Sequence, residues 1–152
     1  MEIRELKESE LDDLLELYQQ LHASDDPLPE RSTIESVWHE IQESHQFRYF
    51  GVFVEGQLVS SCTLSVVPNL TRGCRPYGVI ENVVTHSDFR GKGYGSAMLK
   101  HALEYAWSRN CYKVMLLTGR KSEAVYKFYE AVGFDRQAKQ AFLAKPPSVG
   151  HV

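Results

Sequence analysis

The apolar positions along the chain follow two different periods, and the change of period outlines a mixed fold. Near the amino terminus, Glu2–Leu6 alternates polar and apolar residues, which predicts a short strand. Two stretches with helical spacing follow. Ser9 is the expected N-cap of the first, and Ser32 with Glu35 has capping-box spacing at the start of the second. An acidic, proline-containing loop, Ser24–Arg31, is predicted between the two helices.

The period becomes that of strands after the second helix. Phe47–Val54 and Gln57–Val67 are rich in β-branched and aromatic residues and flank a two-residue turn, so the sequence predicts a β-hairpin. A loop is predicted over Pro68–Pro76. Valine and isoleucine are crowded in Tyr77–Thr85, which predicts another strand that leads into a glycine-rich connection.

The second half of the chain alternates helices with apolar strands. In order, the predicted elements are a helix over Ser96–Arg109, a strand over Tyr112–Thr118, a helix over Glu123–Ala131 closed by Gly133, and further strands at Phe134 and around Gln140–Ala144. The whole order is β-α-α-β-β-β-α-β-α-β. It predicts an α/β (α+β) fold with a mixed, mostly antiparallel central sheet and helices on both faces.

Size and charge narrow the class of protein. The 152 residues predict one domain over residues 1–145, with residues 146–152 as a flexible tail. A net charge of −3, from 17 basic and 20 acidic residues, argues against a nucleic-acid partner.

The apolar runs are too short for a membrane span, and no secretory signal is visible, so we expect a cytoplasmic protein without a membrane partner. Three cysteines without ligand spacing indicate a reducing compartment and no metal.

The segment Arg90–Ser96 is the strongest chemical signal in the sequence. Its three glycines alternate between a predicted strand and a predicted helix, so the backbone can turn sharply and present N–H groups to a ligand. The helix adds unpaired donors and the positive end of its dipole, which together favour a phosphate. The spacing matches neither a P-loop nor a dinucleotide fingerprint. On these residues alone, another phosphate-bearing ligand and a purely structural turn both remain open.

Two motifs together resemble one family. Arg90-x-x-Gly93-x-Gly95 resembles the acyl-CoA pyrophosphate motif of the GNAT superfamily of N-acyltransferases, and the segment from Phe128 to Phe134 (FYEAVGF) resembles a second signature of that family. The resemblance implies the GNAT fold over nearly the whole chain. It also implies direct transfer of an acetyl group from acetyl-CoA (coenzyme A) to a primary amine of a small molecule. The stretches around Gly78–Val84 and Cys111–Val114 are similar to the glucosamine-6-phosphate N-acetyltransferase branch.

The resemblance also implies which residues hold the cofactor. Backbone groups of Val83 or Val84 would pair with the pantetheine arm and face the thioester oxygen. Ser122 stands where many members of the family carry an asparagine near the cofactor. The full implied cofactor-binding set is Val83, Val84, Thr85, Arg90, Gly91, Lys92, Gly93, Tyr94, Gly95, Ser96, Ser122 and Tyr129.

Proton transfer is assigned to two side chains. By resemblance, Tyr129 is the general acid for the thiolate leaving group, since a phenol keeps its proton until the thiolate forms. The alternative is that Tyr129 only packs. Glu81 is the candidate base, acting directly or through water, in an otherwise apolar strand. The alternative is that Glu81 only faces solvent or pairs with a neighbouring strand, and His86 and Asn82 are weaker candidates for the base.

Three other functions remain open at this level. The chain could be a non-catalytic acyl-CoA sensor module, a peptide or protein N-acetyltransferase, or a nucleotide-binding regulatory domain. The acceptor side is expected at the loops Ser24–Arg31 and Asn69–Arg75. The first loop is acidic and would suit a cationic amine, whereas the second carries arginines that would suit an anionic one. Dimers are common in the family, so the resemblance leaves a homodimer open, and nothing in the composition decides the oligomeric state.

Overall fold

The computed structural model describes residues 1–22 and 24–147, in two compact units: Met1–Leu116 and the part from Leu117 onward. The first unit contains a sheet of five strands in the order β1-β2-β3-β4-β5. Neighbouring strands are antiparallel except for the parallel pair β4–β5. The strands are β1 (Glu2–Glu5), β2 (Phe47–Val54), β3 (Gln57–Val67), β4 (Tyr77–Thr85) and β5 (Val114–Leu116). This confirms the predicted mixed, mostly antiparallel sheet.

The helices occupy both units. They are α1 (Leu11–Tyr18), α2 (Arg31–Glu43), the short turn α3 (Thr71–Cys74), α4 (Tyr94–Ser108) and α5 (Glu123–Val132). Only α5 belongs to the second unit. Single 3-10 turns precede α1 and follow β4, at Glu8–Glu10 and Ser87–Phe89.

Helices cover both faces of the sheet in the first unit. Tyr49 packs edge-on against Trp38 of α2, whereas the next residue, Phe50, packs against His101 and Tyr105 of α4. Successive residues of a strand point to opposite faces, so α2 and α4 lie on opposite sides. The core on the α1 and α2 side consists of Leu6, Leu11, Leu14, Leu17, Trp38, Phe53, Leu58 and Val84.

Two predicted helix caps are wrong. Ser9 lies inside the 3-10 turn, and Glu10 takes over the capping role because its carboxylate accepts a hydrogen bond from the Lys7 N–H at 2.7 Å. Ser32 lies in the first turn of α2 rather than before it, because the extended residue Glu30 is the N-cap.

The end of the predicted element order also differs. The strand predicted over Tyr112–Thr118 shortens to Val114–Leu116, which is the length that pairs with β4. No described residue after Leu116 belongs to a strand, so the strands predicted at Phe134 and around Gln140–Ala144 are wrong. Apolar side chains there, including Phe142 at 89% exposure, have no neighbouring strand to pack with. Apolar composition alone does not make a strand without a partner edge.

Four further features of the described residues concern a helix end, the cysteines, membrane-spanning helices and metal ligands. Gly133 ends α5 in the left-handed conformation, as predicted. Cys62 and Cys111 are buried, whereas Cys74 is exposed. In the described part of the chain no helix is long and apolar enough to cross a bilayer, and no cluster of metal-ligating side chains occurs. Ala23 and residues 148–152 of the predicted tail lie outside the described residues. The single domain over residues 1–145 stays a prediction.

Candidate functional site

Strand β4 is irregular at Asn82. In the pairing with β3, Val84 lies opposite Ser61, whereas Glu81 lies opposite Thr63, so two residues of β4 together face the one residue between. This is a β-bulge, which leaves one residue out of the ladder and bends the strand. Asn82 has a φ of 53°, in the left-handed region that asparagine adopts more readily than most residues. No pattern in the sequence indicates this bulge.

The same strand loses its second neighbour just before the bulge. Strand β5 pairs only with Gly78, Val79 and Ile80. Among the described residues, no strand lies along that side of β4 from Glu81 to Thr85. An open strand edge presents backbone N–H and C=O groups that an extended ligand can pair with. Val83 and Val84, the residues expected to contact the pantetheine arm, lie in this open stretch.

The end of β4 is fastened to its surroundings. The Ser60 hydroxyl donates to the Val84 carbonyl at 2.9 Å and lies 2.8 Å from the Thr85 hydroxyl. The Arg90 Nε donates to the Thr85 carbonyl at 3.0 Å. Thr85 and Arg90, both expected in the cofactor set, therefore use these groups to join the strand to the loop.

The glycine turn adopts the conformation that its composition suggests. Gly91 and Gly93 have φ values of 74° and 85°, and a Cβ added to either would meet no atom within 4 Å. Only glycine adopts this backbone without strain, and the space above it is open to a ligand. Gly95, in contrast, is buried in the first turn of α4. The left-handed Gly93 starts the helix at Tyr94, two residues earlier than the predicted start at Ser96.

Backbone donors are concentrated at this turn. The N–H groups of Gly91, Lys92 and Gly93 have no hydrogen-bond acceptor among the described residues. The first turn of the 15-residue helix α4 adds N–H groups without intrahelical partners and the positive end of the dipole. The Lys92 ammonium lies 5.5 Å from the Phe89 ring and adds positive charge. These groups fit a diphosphate.

The candidate bases differ in their surroundings. His86 caps the turn after β4, because its Nδ1 accepts a hydrogen bond from the Asp88 N–H at 3.1 Å. Glu81 is exposed beside the bulge. Residues directly opposite in a ladder share a face, so Glu81 and Thr63 both lie on the α1 side of the sheet. An exposed carboxylate there is able to exchange protons with solvent.

The remaining predicted residues lie in the second unit. Ser122 is the N-cap of α5, and its hydroxyl accepts from the Val125 N–H at 3.3 Å. The Tyr129 ring is partly exposed, and its centre lies 5.0 Å from that of Phe128 and 6.1 Å from that of Phe134. Tyr129 therefore packs against both aromatic residues of its own signature.

One polar pair escaped the sequence analysis. The hydroxyls of Tyr18 in α1 and Thr63 in β3 are buried and have no hydrogen-bond partner among the described residues. The pattern showed Tyr18 only as an apolar position of an amphipathic helix. No sequence signal pointed to the pair, because its members meet only through the packing of α1 on the sheet.

Comparison with known proteins identifies the family. The model of the acetyltransferase (GNAT) family matches residues 11–134. The chain belongs to the GNAT family. Its structure is similar to one from Agrobacterium tumefaciens str. C58, provisionally named an acetyltransferase, with a TM-score of 0.89, 43% identity, and coverage of 96% of this chain and 100% of that one. The family and the fold predicted from the two motifs are thus confirmed.

Other relatives carry more specific names. A glucosamine 6-phosphate N-acetyltransferase from Trypanosoma brucei brucei is 40% identical over 88 residues, which are 58% of each chain. The solved glucosamine-6-phosphate N-acetyltransferase from Arabidopsis thaliana is 25% identical, with a TM-score of 0.81 and coverage of 94% and 97% of the two chains. The matches to the Trypanosoma protein and to an N-acetyltransferase of Methanocaldococcus jannaschii span only 58% and 61% of those proteins.

Proposed function

We propose that this GNAT protein is an acetyl-CoA-dependent N-acetyltransferase that acetylates a primary amine of a small molecule by direct transfer. The observation that carries the proposal is the continuity between the open edge of β4 after Ile80 and the glycine turn at Gly91–Gly93. An open strand edge suits an extended arm with amide groups, and the turn suits a diphosphate. Coenzyme A carries both an extended arm with amide groups and a diphosphate in one molecule.

Each part of the site receives a role. The N–H groups from Gly91 to Ser96 bind the diphosphate, and Lys92 adds charge. Hydrogen bonds to charged groups contribute roughly 1.5–3 kcal/mol each, so a few of them account for micromolar affinity, about −8 kcal/mol. The backbone of Val83 and Val84 pairs with the arm and orients the thioester carbonyl. Acetyl-CoA supplies an acyl group that is already activated as a thioester.

The transfer requires two proton movements. A bond forms between the amine nitrogen and the acyl carbon, while the bond from that carbon to sulfur breaks. The amine gives up one proton, which we assign to Glu81 because of its exposed position beside the bulge. The departing sulfur takes up one proton, which we assign to Tyr129 because of its place in the FYEAVGF segment.

The acceptor is proposed from the names of the relatives and from the loops. An amino sugar phosphate is the first compound to test, because several relatives are named glucosamine 6-phosphate N-acetyltransferases. In the second predicted acceptor loop, the Arg75 guanidinium donates to the carbonyls of Asn110 and Cys111, so it is already engaged. The loop Ser24–Arg31 keeps exposed acidic residues. Cationic amines, such as aminoglycosides, therefore belong in the same panel.

The test is an acceptor screen with thiol detection. Wild type and Tyr129→Phe are mixed with acetyl-CoA and a panel of amino sugar phosphates, aminoglycosides, amino acids and a peptide with a free amino terminus. We expect amine-dependent thiol release by the wild type and a kcat roughly 10²–10⁴-fold lower in Tyr129→Phe, with unchanged acetyl-CoA affinity. Tyr126→Phe, a tyrosine of the same helix, is the matched control. An enzyme-only blank removes the signal of the exposed Cys74 thiol.

Two outcomes contradict the proposal in different ways. Tight binding of acetyl-CoA without thiol release for any amine indicates a sensor module instead. Full turnover by Tyr129→Phe on the preferred acceptor removes the acid role from this residue but leaves the transferase function intact.

A further inference from the structure

Two buried hydroxyls in the first unit lack partners. The side-chain oxygens of Tyr18, at the end of α1, and Thr63, in the middle of β3, are both inaccessible to solvent. Thr63 as a whole is 7% exposed. Neither oxygen makes a hydrogen bond with another described residue. A buried polar group left in this state costs roughly 1–3 kcal/mol, so a third group is needed to satisfy them.

The two hydroxyls meet at the bulge of β4. Thr63 lies directly opposite Glu81 in the ladder, and the bulge begins at the next residue, Asn82. The side chains of Thr63 and Asn82 both lie beside the Tyr18 hydroxyl. Polar groups from α1, β3 and β4 thus converge under the bulge, on the face of the sheet that carries Glu81.

The chemistry of this cluster is neutral. Burial, reinforced by Tyr49, raises the pKa of Tyr18 above its usual range, although the polar side chains of Thr63 and Asn82 beside the phenol partly oppose this effect. Tyr18 therefore remains a neutral phenol. Hydroxyl and carboxamide groups both donate and accept hydrogen bonds. An uncharged group that also does both fits here, whereas a phosphate or an ammonium ion would lack a counter-charge.

We propose that Tyr18, Thr63 and Asn82 form a binding site for one small uncharged group that both donates and accepts hydrogen bonds. Its source is either a water molecule or a hydroxyl or neutral amine of the acceptor. Three polar partners are the number that a buried water usually has. If the group belongs to the acceptor, the proposal rests on the proposed function, because it places the acceptor beside Glu81. If the group is water, the proposal does not depend on that function.

Two experimental arms distinguish the sources. In a high-resolution crystal structure without acceptor, one water within hydrogen-bond distance of both hydroxyls identifies water as the group. In steady-state kinetics on the acceptor found by the screen, a KM for the acceptor raised about tenfold or more in Tyr18→Phe, with unchanged acetyl-CoA affinity, identifies the acceptor as the group. A tenfold change corresponds to about 1.4 kcal/mol, as expected for one lost hydrogen bond.

Matched variants separate this role from packing. Tyr18→Phe keeps the ring and removes only the hydroxyl, so a change in its kinetics reports the lost hydrogen bond and not lost packing. Tyr77→Phe, at the far end of β4, is the control for loss of a tyrosine hydroxyl. A crystal structure in which the Tyr18 and Thr63 hydroxyls bond directly to each other without a third atom, together with wild-type kinetics for Tyr18→Phe, overturns the proposal. If no amine is acetylated, the proposed function fails, but the crystallographic arm still decides the existence of the site.

Discussion

The sequence pattern predicts a strand over both halves of β4 alike, but the two halves have different surroundings in the structure. Gly78–Ile80 pairs with strands on both sides, and Ile80 is 1% exposed. Glu81–Thr85 pairs with β3 alone, contains the bulge and exposes Glu81. The first half therefore stabilises the sheet, whereas the second half leaves backbone and polar side chains available for chemistry. The paired half thus anchors β4 in the sheet, and this anchoring positions the open half, where the candidate site lies.

The largest effect is expected where the open half of β4 leads into the glycine turn. Gly93→Glu places a bulky anion where the diphosphate would bind, and several charge-assisted hydrogen bonds are lost. We expect acetyl-CoA affinity to fall by roughly 10³-fold or more, which corresponds to about 4 kcal/mol. Isothermal titration calorimetry on the folded variant measures this directly.

The control for this variant is Gly56→Glu. Gly56 has a φ of 81°, close to the 85° of Gly93, and its Cβ would likewise meet no atom within 4 Å. The backbone strain is therefore similar, but Gly56 lies in the turn between β2 and β3. If both variants lose affinity equally, strain rather than the diphosphate site explains the loss.

The paired half of β4 is expected to matter for stability and not for chemistry. Ile80 lies opposite Leu64, and both are almost fully buried. Ile80→Ala should reduce the free energy of unfolding by about 2–5 kcal/mol, through lost burial and the cavity that remains. Urea unfolding measures the loss, and acetyl-CoA affinity should stay within a few-fold of wild type. Val83→Ala, in the open half and only half-buried, should cost clearly less stability. Equal losses in the two variants would contradict the division of the strand.

This division also separates the features that can be predicted from the sequence from those that cannot. The apolar pattern predicts the bounds of β4 correctly, from Tyr77 to Thr85, because its side chains face apolar layers. The glycine turn is also predicted, because Gly91 and Gly93 encode a backbone conformation locally. The bulge at Asn82 depends on register with β3 and could not be predicted from β4 alone.

Apart from the two helix caps, the elements predicted wrongly or missed are those whose form depends on distant partners. The segment Gln140–Ala144 has a strand-like composition but finds no partner strand in the described structure. The hydroxyls of Tyr18 and Thr63 are separated by more than forty residues and become neighbours only when α1 packs on the sheet. Local conformation is therefore encoded in short segments, whereas the juxtaposition of Tyr18 and Thr63 is a property of the packed fold.

A smaller effect is expected from the exposed carboxylate of the open half. Glu81→Gln removes the proposed base with little change in shape, and we expect kcat to fall about 10²-fold, at the low end for general base catalysis. Stability should change by less than about 0.5 kcal/mol, because the side chain is exposed. Initial rates at saturating acetyl-CoA measure the effect. Glu104→Gln, an exposed carboxylate on α4, should leave the rate unchanged. Normal turnover in Glu81→Gln would leave solvent or another group as the proton acceptor.

The smallest effect concerns the stability of the fold at low pH. It must be measured separately from any loss of activity at low pH, which would concern the open half of β4. Arg4 binds Glu10 through two bonds of 2.8 Å, and the Lys7 N–H adds a third. The Arg4 guanidinium holds the pKa of Glu10 below its usual range, despite the opposing effect of burial. This contribution is complete above the unfolded-state pKa, about 4.3, and is lost as the pH falls through the lower folded-state value.

Wild type should therefore lose about 1–2 kcal/mol more unfolding free energy than Glu10→Gln when the pH falls from near 5.5 to well below 4. Urea unfolding at several pH values measures this difference, with the exposed Glu16→Gln as control. Parallel pH profiles for wild type and Glu10→Gln would show that the pair on the α1 side does not govern acid stability. A loss of activity that persists at a pH where both proteins are fully folded would then arise from the reaction itself, and the open half of β4 would be the place to look for its cause.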